Sequence, residues 1–415
     1  MSQATESDLT SSQAPALDLA SSAFKANPYP AFARLCAYDP VHMLSSSDGQ
    51  STWLITRYTD VEAVLHDERF IKDQSRLLSP GERIHSSASP GAVDNLFSMG
   101  MGKFDPPDHT RLRSLVNLAF TPRQVEQWRG RIQEITNELI DAVEGKGSMD
   151  LIEDFAFPLP LTVILEMLGM PTEDRPNLHR WTSVIIDALD DPLAFQQAGP
   201  QFQAYDTYLL ALIAHKRRTP AGDLVSRLIQ AETEGDRLSE RELVSMIFLL
   251  IVAGYQTTGT LISNSILALL MHPDQMALLK QRPELIKTAV EEFLRYRSPL
   301  MLSTDAWARE DVDLGGKLIR RGDLVLLSLA AANRDEGAFA DPNTLDITRQ
   351  ENHHLAFSKG IHYCLGAPLA RLEGQVAIST VLRRLPHLRL RIDPEALVWR
   401  PGAMVLGLNH LPVVF

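Results

Sequence analysis

FSKGIHYCLGAPLAR, residues 357–371, decides how this chain is read. Cys364, one of only two cysteines, lies between Gly360 and Gly366. From Pro368 a helical pattern begins, with Leu369, Leu372 and Val376 on one side. Proline suits a first helical turn, because its missing N–H would have no partner there. Cys364 therefore precedes a helix N-terminus, where free N–H groups and the helix dipole favour negative charge. That placement is expected to lower the thiol pKa and stabilise thiolate, the metal-binding form. Gly360 and Gly366 are expected to let the backbone approach a flat, bulky group. A lone cysteine is otherwise usually a small buried apolar residue. The neighbouring residues favour a ligand.

Composition narrows the classes. The chain has 415 residues, 45% hydrophobic and 22% charged, an ordinary globular balance. A formal charge of -12 argues against nucleic acid as partner, since phosphates demand a basic face. Two cysteines, Cys36 and Cys364, exclude any disulfide framework beyond one pair and suggest reduced thiols inside the cell. The Ser/Thr/Ala/Gln-rich start lacks the basic and apolar regions of a signal peptide. It reads as a disordered tail over residues 1–24, ahead of one domain over 25–415. The most apolar run, Met246 to Gly254, is shorter than the ~20 residues that span a bilayer. A cytoplasmic protein without membrane contact is expected.

The pattern along the chain is mainly α with small β-sheets. Residues 51–70 read as strand, turn and helix, and 72–103 as a long irregular loop. Helical periodicity dominates from Thr121 to Leu270. Short strands are expected between Val312 and Ala331, irregular chain over 335–360, and partly β structure from Leu388 to Phe415.

Phe357, Gly360, His362, Cys364, Gly366, Leu369, Ala370 and Arg371 match a long, specific signature. By it the chain resembles the cytochrome P-450 monooxygenases of the soluble bacterial type, from about Asn27 to Phe415. The resemblance implies a single haem-enclosing domain and haem b (iron protoporphyrin IX), with Cys364 as axial thiolate and His362, Phe357 and Gly366 lining the cofactor. It implies a structural triad of Glu292 and Arg295, one helix face apart by i,i+3 spacing, with Arg349. In AGYQTT, residues 253–258, Thr257 can bond back to the Ala253 carbonyl and bend its helix, while Gly254 thins the wall. Thr257 resembles the family's oxygen-handling threonine. Gln256 stands where most members carry an acid, so it is expected to position a water chain rather than ionise. His109 and Arg113, four apart in FDPPDHTRLRSLV, resemble the haem-propionate ligands. A further arginine often found after the Glu-x-x-Arg helix is absent: Ala306 takes its position.

On the substrate side, helical spacing groups Leu249, Val252, Ala253 and Thr257. The resemblance adds Leu96, Phe97, Met301, Leu302, Met404 and Val405 as walls, and makes the 72–103 loop and the helices around 170–215 a candidate lid. An apolar pocket implies a hydrophobic small molecule, such as a macrolide, polyketide, terpenoid or fatty acid. The implied reaction inserts one atom of O2 into a C–H or C=C bond. No G-x-G-x-x-G fingerprint for flavin or nicotinamide is present, so electrons are expected from a separate ferredoxin and ferredoxin reductase. Arg111, Arg123, Arg129 and Lys359 form a candidate basic docking face. Two alternatives stand beside this reading. One is a haem-thiolate enzyme driven by peroxide, or one catalysing coupling, desaturation or isomerisation. The other is a haem-based binding or sensor protein.

Overall fold

A computed structural model describes residues 17–44, 51–78, 96–188, 191–233 and 235–415. Of these, ten helices carry the argument: α1 (Ser22–Ala26), α2 (Tyr58–His66), α3 (Asp108–Ala119), α4 (Arg129–Glu144), α5 (Pro158–Met167), α6 (Arg175–Ala188), α7 (Gly199–Arg218), α8 (Glu240–Met271), α9 (Ile286–Tyr296) and α10 (Ala367–Arg384).

The axis of the molecule is α8. Its 32 residues start at a capping box, in which the Ser239 hydroxyl accepts from Glu242 N and the Glu242 carboxylate accepts from Ser239 N. Buried side chains occur around most of its circumference, because α5, α7, α9 and α10 all pack on it. It is long and apolar enough to cross a bilayer, with mean hydropathy 1.5 over its best window. That exceeds the expectation from Met246 to Gly254 alone. Yet 67% of that window is buried within the protein, so its apolar surface serves the core.

One mixed sheet joins distant parts of the chain. Its strands are β1 (Val41–Leu44), β2 (Thr52–Ile55), β3 (Phe70–Ile71), β4 (Ala306–Ala308) and β5 (Leu324–Leu327), in the spatial order β1-β2-β5-β4-β3. Only β2 and β5 run parallel. Trp53, Ile55, Val325 and Leu327 are buried from this sheet and cluster with Tyr58, Val61 and Val64 of α2. Strand Pro412–Val414 pairs with Arg389–Leu390 on one side and Ser148–Asp150 on the other, so the expected terminal β region is realised in short pieces.

Residues 17–24, placed in the expected tail, are built into the fold. Leu19 is buried, Ser21 caps α1, and the Lys25 ammonium donates to the carbonyls of Arg400 (2.6 Å), Pro401 (3.3 Å) and Gly402 (2.9 Å). Residues 1–16 lie outside the described residues, as do 79–95 of the 72–103 loop. The described ends of that loop hold a 3-10 turn at Gln74–Leu77 and a buried Leu96. The helical pair expected around 170–215 is α6 and α7.

Candidate active site

Cys364 lies in a loop clamped from three directions. Its N–H donates to the Phe357 carbonyl at 3.0 Å, and α10 starts at Ala367, just behind it. Lys359 pairs with Glu62 of α2 and donates to the Tyr58 hydroxyl at 3.2 Å. Gly360 has φ +71°, and a Cβ there would lie 2.5 Å from the Leu65 carbonyl oxygen. Docking on α2 therefore itself requires a glycine here. Among protein atoms, a Cβ at Gly366 would meet only the Cys364 sulfur, at 3.9 Å. The thiol is not lowered as expected. Burial raises it, against backbone N–H groups of Gly366 and Ala367 and the charges of Arg113 and Arg371. The helix terminus does act on the sulfur, but burial outweighs it.

Behind the loop stands a dense polar brace. Glu292 and Arg295 are wholly buried and paired twice, at 2.7 and 2.8 Å. Glu292 also accepts from Arg349 (3.2 Å), Asn352 (3.1 Å) and the Asp346 N–H (3.0 Å). Arg295 donates to the carbonyls of Asn333, Pro342 and Thr344. Every oxygen of the carboxylate is satisfied, as a buried charge requires. The triad expected from the sequence is thus assembled. The adjacent pair was missed: Glu291 accepts from Arg371 through two bonds of 2.7 Å and from His354 at 3.1 Å. Arg371 in turn lies over the Phe357 ring, 4.5 Å from its centroid. Burial works against the Glu291 anion, but its hydrogen bonds to Arg371 and His354 hold its pKa down to about 2.

On α8, the Thr257 hydroxyl donates to the Ala253 carbonyl at 2.7 Å, as its spacing predicted. Leu249, Val252, Ala253, Gly254 and Thr257 all keep accessible surface, while Ile251, Tyr255, Gln256 and Thr258 are buried. Accessible residues midway along a helix packed by four others mark an internal space. A Cβ at Gly254 would meet only Ile164, at 3.9 Å, so its glycine adds room on that wall.

A cluster of nitrogen donors lies near the sulfur. The rings of His109 and His362 are 4.3 Å apart, centroid to centroid. Burial, then the positive neighbours His109, Lys72 and Arg113, push the His362 pKa down to about 3. Its Nε2 is buried without a partner. Arg113 is half-buried and pairs with no carboxylate among the described residues. An orphaned ring nitrogen beside an unpaired guanidinium fits a bulky group carrying carboxylates. The donor set, one sulfur facing cationic side chains, suits an iron porphyrin.

Other expected positions are revised. Leu96 (1% exposed), Met301 (0%), Leu302 (3%) and Val405 (6%) lie in packed core rather than on an accessible wall. The β-bridges Leu300↔Val405 and Leu302↔Ser328 hold two of them in the packed interior. Phe97 and Met404 remain accessible. The basic face is largely neutralised. Arg111 pairs with Glu242 and Asp236, Arg129 with Glu126, and Lys359 with Glu62. Arg123 has no carboxylate partner among the described residues.

Fold and site together define a haem-thiolate protein. Residues 36–396 match the family model for cytochrome P-450, and the chain belongs to that family of oxygenase enzymes. It is 47% identical to the cytochrome P-450 CYP107DY1 of Priestia megaterium, over 88% of this chain and 89% of that one. It is 44% identical to the vitamin D(3) 25-hydroxylase of Pseudonocardia autotrophica, over 95% and 96%. The structure of the bacillaene polyketide synthase cytochrome P-450 PksS of Bacillus subtilis 168 superposes with a TM-score of 0.87 at 41% identity, covering 94% of this chain and 97% of that one. Membership implies a haem-thiolate iron cofactor, dioxygen, a small-molecule substrate and redox partners.

Proposed function

We propose that this enzyme inserts one atom of O2 into a hydrophobic small molecule, by hydroxylation or epoxidation, in the cytoplasm. One observation carries the reading: a cysteine at a helix N-terminus stands beside Arg113 and His362, two nitrogen donors without anionic partners among the described residues. Haem b, when bound, supplies the activation of dioxygen, and the protein supplies ligand, orientation and dryness. Cys364 would hold the iron, with Phe357 and Gly366 beside it. His109, Arg113 and His362 would hold the carboxylates, where charge-assisted bonds are strong. The bracing triad of Glu292, Arg295 and Arg349 keeps the loop in place.

The chain's own residues set the rest. Leu249, Val252 and Ala253 present an apolar wall that excludes water and orients substrate by shape. Thr257 Oγ1 already bonds to Ala253 O, so its proton is held inside the helix groove and the oxygen is free to accept from water. Gln256 does not ionise, so protons come through water that reaches this hydroxyl. The names of the vitamin D(3) hydroxylase and the polyketide enzyme support a polycyclic or polyketide-like lipophile, with macrolides, terpenoids and fatty acids in the same class. Electrons would come from a ferredoxin and its reductase.

The test begins with the purified, haem-loaded protein, reduced under carbon monoxide. A strongly red-shifted absorption is expected, and its absence overturns the reading. With a surrogate ferredoxin system and a panel of lipophiles, mass spectrometry should find oxygenated product. Product formed with peroxide but not with the electron donors would instead identify a peroxide-driven enzyme. Thr257→Ala is expected to lower product per reductant consumed by about a hundredfold, the lower end of a proton-transfer contribution. Product and peroxide measured against reductant use will check it.

A further inference from the structure

Ala306 lacks the charge that its position would carry in a resembling chain, and the sheet places a charge directly across from it. Strand β3 pairs with β4 in the register Phe70↔Ala308 and Ile71↔Trp307. One further step sets Lys72 against Ala306. Residues opposite each other in an antiparallel pair put their side chains on the same face, ~5 Å apart. The Lys72 ammonium does reach that place. It donates to the carbonyls of Thr304 (2.7 Å) and Asp305 (2.8 Å), the two residues leading into Ala306. Its third bond, to the Thr304 hydroxyl, is the weakest at 3.1 Å and the most easily exchanged. The same ammonium lies within electrostatic range of His362. Two carboxylates act on this ammonium, Asp305 and then Asp105, and both oxygens of Asp105 are committed to the Lys72 and Asp73 N–H groups. Burial pushes the Lys72 pKa down to about 8, so an anion facing it would favour the charged form.

We propose that Lys72 replaces the absent arginine as a cationic partner of a cofactor carboxylate, delivering its charge from the strand paired with Ala306. The proposal rests on the haem-thiolate reading. Lys72 is a cofactor-positioning group that joins His109, Arg113 and His362.

Haem release to excess apomyoglobin tests it on the purified holoproteins, without turnover. Lys72→Met is expected to release haem about tenfold faster than the wild type, on the scale of one lost charge-assisted bond. Adding Ala306→Arg to Lys72→Met should return the rate to within about twofold of the wild type. A Lys72→Met rate within twofold of the wild type overturns the proposal. So does a double variant as fast as the single one, because a lysine that merely staples the Thr304 and Asp305 carbonyls is not replaced by an arginine at 306. If Lys72→Met accumulates without haem, haem content is read instead: restoration by Ala306→Arg supports the role, and failure to restore it overturns it. The carbon monoxide absorption separates the two levels. Its absence from the wild type removes the haem-thiolate reading, whereas its presence with unchanged release removes only the role of Lys72.

Discussion

Glu291 and Glu292 are adjacent in sequence and do different work. Glu292 points into the protein and meets Arg295 one turn away, a pairing that i,i+3 spacing makes visible in the sequence. Glu291 meets Arg371, which is 80 residues distant, so no local pattern marks it. The Glu291 carboxyl is held at about 2, below its ordinary 4.5. A depressed carboxyl stabilises the folded state fully above about pH 4.5, and this stability is lost as pH falls through about 2. Glu291→Gln is therefore expected to lower stability at pH 7 by about 1.5–3 kcal/mol, the range for a bond to a charged group. The difference from wild type should shrink between about pH 4.5 and 2. Urea unfolding of the haem-loaded proteins at a series of pH values checks both the size and the sign.

At the scale of elements, the cysteine loop is shaped by what it docks on. The sequence marked Gly360 and Gly366 alike, but their requirements differ. Only Gly360 combines positive φ with a backbone oxygen where a side chain would stand. Gly360→Ala is expected to cost about 2 kcal/mol or more, since the strained backbone and the Leu65 contact cannot both be relieved. The fraction of protein giving the thiolate-type carbon monoxide absorption should fall with it, alongside the melting temperature. Helix α8 was better marked at its centre, because the Thr257–Ala253 bond is a local relation, while its capping box at Ser239 was not read from the sequence. Its apolar wall was half legible. Spacing selected Leu249, Val252, Ala253 and Thr257, which do keep accessible surface. Leu96, the Met301–Leu302 pair and Val405 come from three separate segments, and their burial depends on how those segments pack, which no local spacing shows.

Across the whole molecule, Arg295 connects more of the chain than any local motif suggests. Its guanidinium reaches the carbonyls of Asn333, Pro342 and Thr344, and Glu292 gathers Arg349, Asn352 and the Asp346 N–H. The irregular segment before Cys364 is thereby tied to α9 instead of to a regular sheet. Arg295→Leu leaves the Glu292 carboxylate buried without its main partner, at an expected cost of about 3–5 kcal/mol. Far lower haem content and a lower urea midpoint are the outcomes to measure. The sequence by itself determined the mainly helical class, the cysteine ahead of its helix, the Glu292–Arg295 pair and the Thr257 back-bond, because each is a relation within a few residues. Tertiary structure alone decided that burial outweighs the helix terminus at Cys364, that Glu291 serves Arg371, and that Lys72 stands across from Ala306. Those depend on which distant segments are pressed together, and hence on desolvation and strand register, neither of which is written at neighbouring positions.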